Sequence, residues 1–113
     1  MISFCEFAMD DLVRFELSGR LDAAGADQIE APLTASVRKG DRNVLIDLAN
    51  VPFVGSLGIR ILVLAARILQ RAGRTMVLTG VQPQVMEVFE TVSLGELIPI
   101  AANADEARQK LGA

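Results

Sequence analysis

One hydroxyl between two glycines is the residue of this sequence best placed to do chemistry. Ser56 lies between Gly55 and Gly58, and a helical pattern begins directly after it. A buried-strand pattern precedes it, over residues 43–48. Such strand-to-helix crossings are where α/β domains most often bind phosphates and partners. A serine at a helix N-terminus is also a common cap, so the residues alone favour a cap for Ser56, with contact to a phosphate or a partner as the alternative.

The other reactive residue types do not form a catalytic or metal-binding set. The chain has no histidine, and its single cysteine, Cys5, lies in an apolar segment without a base or a second thiol. No Ser-His, Cys-His or metal-ligand cluster can be assembled from these residues. The glycines near Ser56 are not followed by the lysine of a phosphate-binding loop. We therefore predict no catalytic residue, no metal and no cofactor; an enzyme that uses carboxylates alone, such as the Asp10–Asp11 pair of a predicted turn, is the catalytic alternative.

Composition limits the partners and the compartment. The 113 residues carry 11 basic and 14 acidic side chains, and this net charge of −3 argues against direct binding to nucleic acid. The longest apolar run, over residues 61–66, is too short to span a bilayer. No basic leader precedes an apolar segment. We expect a cytoplasmic protein that does not insert into membranes.

The elements around Ser56 alternate in the order of an α/β domain. After a first hairpin, strands and helices follow each other, which predicts a mixed, mainly parallel sheet of about five strands packed against about four helices. One domain over residues 1–113 accommodates them all. The predicted strands cover residues 2–7, 12–18, 43–48, 75–79 and 97–101, and the predicted helices cover residues 23–37, 57–72, 84–91 and 104–111.

Single residues sharpen this prediction. Asp22 and Asn103 stand where helix caps are needed. Pro32 should kink or split the first helix, because it removes a helical amide. Asp47, near the end of a central strand, is expected to accept hydrogen bonds from amides of the loop before Ser56. The inner face of the third helix is predicted from its apolar spacing to consist of Val85, Val88, Phe89 and Val92.

Helical spacing divides the segment after Ser56 into two faces. The outer face carries Arg60, Arg67 and Arg71, with Val63 and Leu64 between them. Cations that frame apolar residues form a reasonable docking surface for a protein with a negative patch. Solvated arginines beside two tolerated apolar residues are the alternative. The inner, apolar face consists of Gly58, Ile59, Ile61, Leu62, Ala65, Ala66, Ile68 and Leu69.

The order of these motifs resembles the STAS domain family, the fold of bacterial anti-sigma factor antagonists. The block V-x-F-V-G-S-x-G-I-R-I-L around Ser56 is similar to the family's signature segment. The resemblance implies the STAS sheet with helices mostly on one side, and phosphorylation of Ser56 by a partner kinase that is also the anti-sigma factor. Further matching segments are Gly19-Arg20-Leu21-Asp22, Asp47, Gly73, Val77-Leu78-Thr79-Gly80-Val81, Pro83, Val88-Phe89 and Leu94.

The resemblance also implies a regulatory cycle. The unphosphorylated protein would bind the anti-sigma factor and free the sigma factor, phosphorylation would release the anti-sigma factor, and a phosphatase would reset the protein. The alternative is a STAS subunit that docks permanently into a larger assembly, such as a membrane transporter or a stress-signalling complex. Asp22 has its cap role as an alternative to partner contact. The implied partner-binding residues are Gly19, Asp22, Val54, Gly55, Ser56, Leu57, Gly58, Arg60, Val63, Leu64 and Arg67.

Overall fold

A computed structural model describes residues 2–9 and 12–111 of the chain. The strands of this part are β1 (Ser3–Ala8), β2 (Leu12–Ser18), β3 (Asn43–Asn50), β4 (Met76–Thr79) and β5 (Ile100–Ala101). Its α-helices are α1 (Ala23–Arg38), α2 (Ser56–Arg71), α3 (Pro83–Thr91) and α4 (Ala104–Lys110), and Leu94–Glu96 is a short 3-10 helix.

The strands form one mixed sheet in the order β1-β2-β3-β4-β5. β1 pairs antiparallel with β2, and each later pair is parallel. The sheet, its mainly parallel pairing and its four helices confirm the fold class predicted from the sequence. Because parallel strands end at the same edge of a sheet, the segments that follow β2, β3 and β4 meet at one edge, where Ser56 is found.

Buried apolar residues of β3 lie on both faces of the sheet, whereas β2 alternates between apolar and polar residues. Val13, Phe15 and Leu17 of β2 are buried, whereas Arg14 and Glu16 between them remain half-exposed. The larger core lies under α1, α2 and α3, and a smaller cluster lies under α4 on the opposite face. That smaller cluster consists of Leu12, Leu45, Val77, Ala101, Ala107 and Leu111.

The first helix is continuous through Pro32, so the expected split is wrong. Ile29, Leu33 and Val37 form the predicted stripe, each at 0% exposure. Full burial contributes about 1.5–3 kcal/mol for each such side chain. An interior proline costs about 3 kcal/mol. Burial on both sides of Pro32 therefore outweighs its missing hydrogen bond.

Two other expectations need correction, and a third concerns residues that the structure does not describe. The last strand is confined to Ile100–Ala101, because the 3-10 turn and Pro99 occupy the residues before it. Val88 and Val92 are 37% and 48% exposed. The inner face of α3 is therefore Val85 and Phe89, one helical turn apart. The Asp10–Asp11 turn lies outside the described residues.

Candidate functional site

Two loops at one edge of the sheet are joined just before Ser56. Leu21, which follows β2, forms an isolated parallel bridge with Val54, which follows β3. The Leu21 amide donates to the Phe53 carbonyl at 2.8 Å, and the Gly55 amide donates to the Leu21 carbonyl at 2.9 Å. Leu21 and Val54 are themselves buried. These contacts fix the backbone immediately before α2, and with it the position of Ser56.

Ser56 is the first helical residue of α2, and its side chain is exposed. Gly55 is the N-cap, with the extended backbone (φ −97°, ψ 179°) that a cap requires. Among the described residues no side chain caps this helix, so the cap role expected for Ser56 is wrong. The physical reason is position: Ser56 lies one residue too late in the chain.

The amides of the first turn of α2 point toward the same region. The Ile59 amide donates to the Gly55 carbonyl at 3.0 Å, which makes it the first intrahelical hydrogen bond of α2. The amides of Ser56, Leu57 and Gly58 come before it and have no intrahelical acceptor. Free amides and the positive end of the helix dipole favour negative charge at this place. The site therefore presents an exposed hydroxyl at a position where the helix would stabilise the negative charge of a phosphate group.

Two residues predicted to bind a partner are instead buried. A Cβ atom added to Gly58 would lie 2.7 Å from Leu21 Cγ and 2.9 Å from the Leu21 carbonyl oxygen. Val54 is only 2% exposed. As a correction, Val54 and Gly58 position the loop and the helix without presenting side chains to a partner. Gly19 is half-buried and has a φ of 108°, where glycine is favoured.

The remaining predicted residues form one exposed surface on α2 and the loop before it. Leu57 and Leu64 are 46% and 38% exposed, although both are large and apolar. Arg60 and Arg67 are exposed beside them. Val63 is half-buried and packs against the core, so the apolar centre of this surface is the pair of leucines. Gly55, which precedes α2, lies half-buried at the N-terminal end of this surface.

Asp22 has structural partners at the rim of this surface. Its Oδ1 accepts from the Gly25 amide at 2.9 Å, which confirms the predicted cap of α1. Its Oδ2 lies 3.8 Å from Nε of Arg20. The cap alternative for Asp22 is therefore confirmed, and contact with a partner stays a prediction.

Arg20 and Phe53 belong to the site although sequence reasoning assigned neither a role there. The Arg20 guanidinium lies 4.4 Å from the centre of the Phe53 ring, a cation–π contact. Phe53 is 39% exposed. Its ring is a neighbour of Gly55, where an added Cβ would lie 3.4 Å from Phe53 Cε2. The sequence signal that could have indicated a role for Phe53 is its position: it follows Pro52 in the loop between β3 and α2 and does not belong to an apolar strand or helix.

Asp47 has hydrogen-bond partners that differ from those expected. Its Oδ1 accepts from the Ala49 amide at 2.9 Å, and its Oδ2 accepts from Arg14 Nη2 at 2.7 Å. The expected hydrogen bonds to the loop before Ser56 are wrong, because β3 continues to Asn50 and keeps that loop further along the chain. Gln84 instead reaches the loop, since its Nε2 donates to the Pro52 carbonyl at 3.4 Å.

Charge is distributed unevenly between α2 and the rest of the molecule. α2 carries three arginines, Arg60, Arg67 and Arg71, and no acidic residue. The whole chain has a formal charge of −3, so the residues outside α2 together carry −6. The helix that presents Ser56 is thus the positive part of an acidic protein.

Comparison with known proteins identifies this architecture. The STAS domain model matches residues 8–107. The chain belongs to the STAS domain family. A curated STAS relative, BtrV of Bordetella bronchiseptica, carries the name anti-sigma factor antagonist; it is 36% identical over 91 residues, which cover 80% of this chain and 78% of BtrV.

Solved structures share the STAS fold. An anti-sigma factor antagonist from Mycobacterium paratuberculosis superposes with a TM-score of 0.90 at 22% identity, covering 100% of this chain and 96% of that one. The phosphorylated form of the Bacillus cell fate determinant SpoIIAA gives a TM-score of 0.70 at 22% identity, covering 96% of this chain and 98% of that one. Within residues 2–9 and 12–111 of this STAS domain, the helices are too short or too polar to cross a membrane.

Proposed function

We propose that this STAS domain is an anti-sigma factor antagonist whose binding to an anti-sigma factor is switched off by phosphorylation of Ser56. The observation that carries the proposal is the exposed Ser56 hydroxyl, which stands at the first position of α2 and is not used as a cap. The names of its relatives supply the class of partner. The protein acts by binding and not by catalysis, as a single cytoplasmic domain whose other partner is a phosphatase.

A phosphate at Ser56 should leave the fold nearly unchanged. It would meet the free amides of the first turn and the positive dipole end, a stabilisation on the order of 1 kcal/mol. Arg60 stands one helical turn further on, at a spacing from which its guanidinium can pair with the phosphate. Phosphorylation is therefore compatible with the folded domain, and its effect must appear elsewhere.

The same phosphate should act strongly on binding. The exposed leucines and arginines of α2 fit a partner that presents apolar side chains within an acidic patch. A near-dianion placed between these surfaces would be desolvated or would oppose acidic groups, at a cost of about 2–5 kcal/mol. That cost corresponds to a loss of affinity of roughly thirty-fold to several-thousand-fold. The effect on binding exceeds the effect on folding, which is what a switch requires.

The first experiment is mass spectrometry of the protein isolated from its native cells under several growth conditions. We expect a phosphate on Ser56 whose occupancy changes with condition. Protein that is unmodified under every condition would contradict the switch and favour a permanently docked STAS subunit. A phosphate confined to Ser93, which is also exposed, would refute Ser56 as the site.

Binding measurements with two matched variants complete the test. The co-purifying anti-sigma factor is identified first, and its affinity is then measured for Ser56→Asp and Ser93→Asp. We expect Ser56→Asp to lose affinity by at least thirty-fold and Ser93→Asp to bind as the parent does. Equal affinity of the two variants would contradict the switch.

A further inference from the structure

A groove runs between α1 and α2, beside the surface that carries Ser56. Its upper part, toward the N-termini of the two helices, has a volume of about 350 Å³ and begins at Leu57 and Arg60. Its lower part, of about 260 Å³, ends at Arg38 and Arg71. The two parts share Glu30 and Ile61 and are therefore adjacent along the helices.

The α2 side of the groove presents an apolar stripe with the spacing of a helix–helix seam. Leu57, Ile61, Leu64 and Ile68 follow one another at intervals of four, three and four residues. This spacing is the one that coiled-coil helices use to receive a partner helix. The stripe spans 12 residues, and its ends lie about 16 Å apart along the helix at 1.5 Å per residue. Leu57 and Leu64 remain 46% and 38% exposed, whereas Ile61 belongs to the core and Ile68 is half-buried. The two leucines are therefore the members of the stripe that a partner can cover.

The charges along the groove are graded and unpaired. Asp27 and Glu30 of α1 line the upper part together with Arg60 of α2. Arg38, Arg67 and Arg71 line the lower part, where Glu30 is the one acidic residue. Among the described residues none of these six forms an ion pair. A partner segment that is acidic at the lower end would neutralise the three arginines there.

We infer that this groove seats an amphipathic helix of the binding partner, antiparallel to α2. Its apolar ridge lies on the stripe, its acidic N-terminal turn faces Arg38, Arg67 and Arg71, and its C-terminal turn lies beside Asp27, Glu30 and Arg60. This inference rests on the proposed function, which assigns partner binding to the α2 surface. A helix is the fitting occupant because both walls are helices whose backbone groups are already paired and offer nothing to an added strand.

The antiparallel direction also suits the occupant itself. Acidic residues at its N-terminus and basic residues at its C-terminus stabilise any helix through its dipole. The acidic N-terminal turn also meets the three arginines of the lower part of the groove. The charge placement that suits the groove therefore also stabilises the bound helix itself.

A synthetic peptide of 18 residues is the probe, with leucines at the 4-3-4 spacing, glutamates in the first turn and lysines in the last. Its binding is followed by NMR on the isotope-labelled protein, with a spin label at the N-terminus of the peptide. We expect shifts confined to α1 and α2 and signal broadening near Arg71. Absence of shifts in these helices, or broadening near Leu57, would overturn the inference.

Two charge-reversal variants control for non-specific attraction. Arg67→Glu removes one cation from the groove, and Lys39→Glu makes the same change at an exposed residue outside its lining. We expect Arg67→Glu to weaken binding of the peptide by about two- to five-fold and Lys39→Glu to leave it unchanged. Equal affinities for the two variants would overturn the inference. Ser56 does not line the groove, so this test and the phosphorylation test can fail independently.

Discussion

At the scale of single residues, the two glycines beside Ser56 have different roles. Gly58 allows α2 to begin in contact with Leu21, since any side chain there would collide with both the Leu21 side chain and its carbonyl. Gly55 is under no such constraint: an added Cβ would make ordinary contact with the Phe53 ring, and its φ of −97° suits any residue. The structure requires a glycine at position 58 and merely contains one at position 55.

Alanine substitutions should separate these roles. We expect Gly58→Ala to destabilise the domain by about 1–3 kcal/mol through overpacking against Leu21. Gly55→Ala should change stability by no more than about 0.5 kcal/mol. Urea unfolding followed by circular dichroism measures both free energies. Similar values for the two variants would show that Leu21 moves aside at little cost.

A second pair of variants tests whether Ser56 is dispensable for folding. Ser56→Ala removes a hydroxyl that caps nothing, so its free energy of unfolding should stay within about 0.5 kcal/mol of the parent. Asp22→Ala removes an observed cap and should cost about 0.5–2 kcal/mol. Both are measured by thermal and urea unfolding. A larger loss for Ser56→Ala than for Asp22→Ala would reveal a structural role for the hydroxyl.

At the scale of elements, α1 shows how burial determines structure against local preference. Its three core residues each reach 0% exposure and hold the helix together across Pro32. Restoring the missing amide should therefore add stability. We expect Pro32→Ala to raise the free energy of unfolding by about 1–3 kcal/mol, measured in urea. A decrease would mean that the half-buried proline ring packs better than alanine does.

The sequence predicted elements with strong periodicity and missed features that depend on distant contacts. The alternation of β2, the stripe of α1 and the caps Asp22 and Asn103 were all readable, because each depends on neighbours along the chain. The capping position before α2 was misplaced by one residue. The joining of two loops through Leu21, which fixes that position, has no local signal. The contact of Arg20 with Phe53 is hidden for the same reason.

The surface of α2 was predictable because its residues lie on one regular helix. The exposed sides of Leu64, Arg60 and Arg67 follow from 100° spacing alone. The groove was not predictable, because its other wall comes from α1, more than twenty residues earlier in the chain. The sequence therefore predicted which helix carries the candidate site but did not predict the groove beside it.

At the scale of the whole molecule, the charges of the α2 surface should govern how fast a partner is captured. An acidic partner would be attracted to α2. We expect the association rate constant with the co-purified anti-sigma factor to fall by about ten-fold or more from low to high salt. Stopped-flow mixing at several salt concentrations measures it, and Arg60→Gln should flatten the dependence. A salt-independent rate would rule out steering by α2.

The positive charge of α2 gives phosphorylation a second mode of action. α2 carries three arginines and no acidic residue, and a phosphoserine adds about −1.5 to −2 charges at neutral pH. Modification of Ser56 would therefore cancel about half to two-thirds of the helix's charge while the partner is still in solution. The partner would be guided less often to the surface before any atoms touch. A phosphate placed at the start of this helix would thus lower the frequency of encounter as well as the lifetime of the complex.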